Sequence, residues 1–108
     1  MTLESAPRFG PDTPRPGEAV EIAPGILWLR FPLPFALDHV NVWALEDGDG
    51  WTIVDTAFGD ATCKGIWLEL LDGALRARPV RRLVVTHYHP DHIGLAGWLT
   101  ARTGAEFW

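Results

Sequence analysis

Cysteine is nearly missing from this 108-residue chain. Cys63 is the single one, which excludes an intramolecular disulfide. Lysine is equally scarce, with Lys64 alone, and nine Lys and Arg against 14 Asp and Glu leave a net charge of −5. The arginines are scattered apart from Arg76, Arg78, Arg81 and Arg82, so no basic surface of the kind nucleic acid requires is expected. That cluster reads as the solvated end of a helix and its following turn, where cations complement the carbonyl end. No apolar run is long enough to span a membrane, and the first residues lack the basic start and apolar stretch of a signal peptide, so a cytoplasmic location is expected. Internal repeats are absent too.

Histidine is also sparse, but three of the four are packed into Thr86-His87-Tyr88-His89-Pro90-Asp91-His92. Neutral imidazole and carboxylate are the side chains that suit zinc and related divalent transition metals. Residues 82–86 form a short β-branched run that reads as a buried strand, and a chain leaving it extended points His87, His89 and Asp91 to one side. His92 breaks the alternation. It projects instead from the start of a helix over residues 93–102, in which Leu95, Trp98, Leu99 and the stem of Arg102 fall on one face. Taken singly, each residue has an ordinary reading: a strand histidine is usually a hydrogen-bonded core or surface residue, and Asp91 suits a helix N-cap. Together, His87, His89, Asp91 and His92 are candidate ligands that can serve two neighbouring metals rather than one.

The rest of the chain supplies a layered frame. Residues 1–17 hold Pro7, Gly10, Pro11, Pro14, Pro16 and Gly17 with few large apolar side chains, and read as a flexible arm. Strands are expected over 22–31 and 40–45, separated by Pro32-Leu33-Pro34-Phe35, whose prolines favour an irregular loop. Asp47-Gly48-Asp49-Gly50 is a hairpin turn and lacks the further ligands of a calcium loop. Asp60 or Thr62 caps a helix with Cys63, Ile66, Trp67, Leu70, Leu71 and Ala74 on one face, ended by Pro79. Gly65 and Gly73 each cost about 1 kcal/mol relative to alanine, so burial of the apolar stripe must hold this helix. Cys63, on that stripe, is a core residue and not a nucleophile. A strand over 81–86 follows, and the alternation of strands and helices indicates an α/β architecture.

The segment from Thr86 to Gly94 resembles the metal-binding signature of the metallo-β-lactamase superfamily of hydrolases. Val40-Asn41-Val42-Trp43-Ala44-Leu45 and Trp51-Thr52-Ile53-Val54-Asp55-Thr56-Ala57 are similar to that family's early hairpin. The resemblance covers residues 22–108 and implies the N-terminal half of an αβ/βα sandwich, with residues 18–108 a partial domain. It implies that His87 and His89 bind one metal and Asp91 and His92 a second, most simply two zinc ions, with iron or manganese as alternatives. Asp55 would support the loops beneath the site and is the nearest partner for the ligands' free ring nitrogens. Ala57 departs from the pattern, since many members have glycine there. The family's remaining ligands lie in segments after this motif. His39 is the one other histidine and reads as a loop or strand-edge side chain near the cleft. Residues 104–108 look like a strand just begun, and six tryptophans are more core-forming surface than these few elements cover. The chain is therefore expected to be an N-terminal portion.

The activity implied is hydrolysis of a small-molecule substrate by a metal-activated water, with Asp91 as the catalytic proton acceptor. An ester or thioester hydrolase similar to hydroxyacylglutathione hydrolase is the first expectation. Lactones, β-lactams and sulfur substrates stay open, and oligomeric state is not legible. A redox protein of the same fold, related to diiron flavoproteins, and a catalytically incomplete fragment or interaction module are the alternatives. The His89-Pro90-Asp91-His92 form, without a glutamate, favours the hydrolase.

Overall fold

A computed structural model of the chain describes residues 8–9, 13–33 and 39–108, giving the backbone only for Arg8, Phe9 and Asp91. Among the described residues seven strands form one sheet in chain order: β1 (Arg8–Phe9), β2 (Val20–Ala23), β3 (Ile26–Pro32), β4 (His39–Asp47), β5 (Gly50–Val54), β6 (Val80–Val84) and β7 (Glu106–Phe107). The pairs from β2 to β5 are antiparallel, while β1 with β2, β5 with β6 and β6 with β7 are parallel. Parallel neighbours need a crossover. Helix α1 (Ala61–Asp72) carries the chain from β5 to β6, and α2 (Pro90–Ile93) with α3 (Ala96–Thr103) from β6 to β7.

Alternation along the strands decides what each sheet face meets. Leu27, Leu29 and Phe31 of β3 stand opposite Ala44, Val42 and Val40 of β4, and all six are buried. Cys63, Ile66, Trp67 and Leu70 of α1 and Ala96 and Leu99 of α3 join them in one core cluster. The other face carries Trp28 and Trp43 as a cross-strand pair, stacked with ring centroids 6.3 Å apart and only half-buried. Helices thus close one side of the sheet, as the half-sandwich expectation requires.

Several element boundaries differ from the sequence reading. The expected strand over 22–31 is two strands, because Gly25, at a φ of 78°, turns the chain between β2 and β3. Arg8 and Phe9, inside the stretch read as a flexible arm, pair with Val20 and Glu21. Pro32 closes β3, and of the loop expected after it residues 34–38 lie outside the described residues. Helix α1 stops at Asp72 with Gly73 as its cap, well before Pro79. The arginines consequently do not neutralise a helix end. Arg78, Arg81 and Arg82 pair with Glu46, Asp49 and Asp47 at the β4–β5 turn. The helix expected over 93–102 is broken at Gly94, and His89, not Asp91, precedes the first helical residue. The two-residue turn at Gly48 and Asp49, the cap at Asp60 and a terminal strand within 104–108 are as expected.

Candidate metal centre

The site lies where β5 and β6 both end, and its floor is the bend after Val54. Asp55 and Ala57 have φ of 70° and 85°, in the left-handed region that disfavours side chains, with Thr56 between them. Hydrogen bonds hold this bend. The Asp55 amide donates to Val84 O at 2.8 Å, and the Thr56 amide and hydroxyl both donate to His92 O, at 2.8 and 2.7 Å. The Leu95 amide donates to Thr56 Oγ1 at 3.0 Å, and Trp67 Nε1 donates to Thr56 O at 2.7 Å. Every polar group of the fully buried Thr56 thus has a partner, which removes the penalty for burying it. The same contacts tie the bend to α1, to the end of α2 and to the start of α3.

Two glycines let the backbones cross there. A Cβ on Gly94 would collide with Pro90 O, sit 2.6 Å from Gly59 N and 2.9 Å from Ala57 O, and one on Gly59 would lie 2.8 Å from Gly94 O. All of these are backbone atoms that no rotamer change can move. Gly94 of the motif therefore has a packing reason: it lets α2 seat against the bend.

Asp55 is 4% exposed, and its carboxylate accepts three hydrogen bonds. Oδ1 takes the Thr86 amide at 2.8 Å, while Oδ2 takes the Thr86 hydroxyl at 2.7 Å and His92 Nδ1 at 3.0 Å. Thr86 Oγ1 is also 2.8 Å from His87 Nδ1. The rings of His87 and His92 are brought to 4.7 Å between centroids, and one ligand atom from each of Asp55, His87 and His92 lies within 4.8 Å of the others. Imidazole Nδ1 atoms engaged by a carboxylate or a hydroxyl, with the rings converging, are the arrangement by which metal-binding histidines are oriented. The donor set fits a divalent transition metal. Asp55 thus contacts the His92 ring directly and the His87 ring through Thr86, while it is itself one of the three grouped ligand-type residues.

The described geometry groups His87 with His92 more closely than with His89. The His89 ring stacks on His87 at 6.0 Å, nearly parallel at 9°, and is exposed beside Tyr88 at 5.0 Å. The side chain of Asp91 lies outside the described residues; its backbone is in α2. His39 opens β4 opposite Pro32 and is not a member of the cluster. Sequence reading missed Thr86 and Thr56 as site-building residues, although a hydroxyl next to a ligand-type histidine is a usable signal. Cys63 is buried with Sγ 3.6 Å from Pro32 O. Desolvation, followed by the hydrogen bond to Asp60 and that residue's charge, pushes its thiol up from 9.0 to about 12, which disfavours the reactive thiolate.

Residues 36–107 match the family model described as the metallo-beta-lactamase superfamily. A beta-lactamase domain protein from Burkholderia ambifaria superposes with a TM-score of 0.80 at 43% identity, over 90% of this chain and 31% of that one. A metallo-beta-lactamase family protein from Thermus thermophilus superposes with a TM-score of 0.61 at 34% identity, over 73% of this chain and 27% of that one. An atrochrysone carboxyl ACP thioesterase from Passalora fulva is 32% identical over 65 residues, which are 58% of this chain and 18% of that protein. The chain thus spans less than a third of the length of each of these relatives.

Proposed function

Since the chain belongs to the metallo-β-lactamase superfamily, we propose that it carries the first metal-binding segment of a metal-dependent hydrolase acting on an ester or thioester of a small molecule. The observation that carries this reading is the convergence of His87 and His92 above Asp55, inside the segment that matches the family. Its proposed ligands are His87, His89, Asp91 and His92. The donor chemistry suits two zinc ions, or iron or manganese, together with further ligands from the parts of the longer relatives that this chain does not span. When bound, such a centre lowers the pKa of a water toward neutrality and polarises the carbonyl under attack. The chain's own residues do the rest. Asp55 and Thr86 hold the imidazoles in register from below, and the Asp91 carboxylate takes the proton of the attacking water and returns it to the leaving group. The thioesterase relative supports the thioester as the first substrate class to try.

The test is metal content and hydrolysis of acyl thioesters and esters by the intact protein. About two equivalents of divalent metal are expected, with activity lost to a chelator and restored by zinc. His92→Ala should lower both occupancy and turnover by orders of magnitude. Asp91→Asn should depress turnover far more than it depresses metal binding through the histidines. A protein purified without transition metal, and unchanged by added zinc, overturns the reading.

A further inference from the structure

The hydrogen bonds beneath the histidines have a direction, and it follows from counting protons. A carboxylate only accepts, whereas a hydroxyl has one proton and two lone pairs. Thr86 Oγ1 stands 2.7 Å from Asp55 Oδ2, so its proton points at the carboxylate. Toward His87 Nδ1, 2.8 Å away, the hydroxyl then presents only a lone pair, and Nδ1 must be the donor. A neutral imidazole with its proton on Nδ1 carries its lone pair on Nε2. The His92 ring is ordered the same way by direct donation from Nδ1 to the same Asp55 oxygen, 3.0 Å away. The hydroxyl is itself fixed, because the Thr86 amide donates to the other oxygen of that carboxylate at 2.8 Å. Asp55 thus grips Thr86 at two points, and no alternative hydroxyl orientation keeps both contacts.

We infer that Thr86 is a positioning residue: its hydroxyl relays the acceptor character of Asp55 to His87 and locks that ring in the Nδ1-protonated tautomer, with Nε2 as the ligating atom. One carboxylate oxygen thereby sets the tautomer of two rings, one directly and one through a side chain 31 positions away in sequence. The role matters on the metal-centre reading given above, but the tautomer is a property of the metal-free protein and is measured without activity.

The experiment is isotope-labelled nitrogen NMR of the histidine rings in the metal-free intact protein at about pH 8. Wild type, Thr86→Val and Thr86→Ser are compared, followed by titration with zinc alone. Wild-type His87 is expected as the Nδ1–H tautomer. Thr86→Val, which keeps the β-branched shape but has no hydroxyl, should move His87 into a mixture of tautomers and weaken zinc binding by about 10- to 100-fold. Thr86→Ser should restore both. Finding wild-type His87 protonated on Nε2 overturns the relay whatever the variants do. A folded Thr86→Val protein with an unchanged His87 tautomer overturns it as well. The expected tautomers with no zinc binding by wild type would leave the relay standing and sink the metal-centre reading instead.

Discussion

Gly94 has no room for a methyl group, because the atoms around its missing Cβ are backbone atoms of residues 57, 59 and 90. Gly94→Ala should therefore destabilise the fold by about 1–3 kcal/mol, the usual range for forcing volume into a packed place. It should also displace α2, and His92 with it. An unchanged denaturant midpoint would contradict this. Ala57 is the opposite case. Its φ of 85° is one that glycine adopts freely and alanine holds at a cost of about 1–2 kcal/mol, while its buried methyl contributes about 0.8 kcal/mol. Ala57→Gly should consequently shift stability by less than about 1 kcal/mol. Ala57→Val should be clearly destabilising, since a β-branched side chain fits that φ worse. At Cys63 the sign of the pH effect is fixed by the raised thiol. From pH 9.0 to about 12 the unfolded chain loses this proton while the folded one keeps it. The folded state binds more protons there, so stability present below pH 9.0 declines as pH rises through the window. Cys63→Ala should flatten that part of the stability curve, which chemical unfolding at a series of alkaline pH values will show.

Among the elements, α1 depends on its first contact. Asp60 accepts the Cys63 amide at 2.8 Å, and Asp60→Ala should cost about 1 kcal/mol, measurable as a lower Tm with the metal-site residues untouched. The apolar stripe of this helix was legible because it repeats at helical spacing, and Cys63, Ile66, Trp67 and Leu70 are all buried. The β4–β5 hairpin was legible because Gly48, φ 62°, supplies the backbone its two-residue turn needs. What escaped were breaks inside apolar runs. Pro24-Gly25 divides a stretch that reads as one strand, and Gly94 divides one that reads as one helix, because apolar periodicity continues through both. The arginines escaped for another reason: their partners, Asp47, Asp49 and Glu46, lie some thirty positions earlier. The candidate site divides in the same way. His87, His89, Asp91 and His92 are local and declared themselves by type and spacing, whereas Asp55 reaches His92 across 37 positions and Thr86 across 31. Resemblance supplied Asp55, and only the fold supplied Thr86.

For the molecule as a whole, the sheet is closed by helices on one face, while the other bears the half-buried Trp28–Trp43 pair. At the β7 edge Phe107 and Trp108 are 56% and 67% exposed. Apolar surface beside an exposed strand edge favours association. Produced by itself, the 108-residue chain should self-associate and bind zinc more weakly than its longer superfamily relatives. Light scattering and zinc titration of both check this, and a monomeric, tightly binding short chain would argue that residues 1–108 suffice. The Asp55–Thr86 grip has a further consequence, in time. The Thr86 amide follows β6 outside any strand, and its described acceptor is the Asp55 carboxylate. Its hydrogen can exchange with deuterium only when the bend after β5 and the loop after β6 come apart. The exchange rate of that single amide is therefore a clock for the opening of the histidine cluster. It runs without substrate or metal, and it slows to the extent that a bound ion holds the two loops shut.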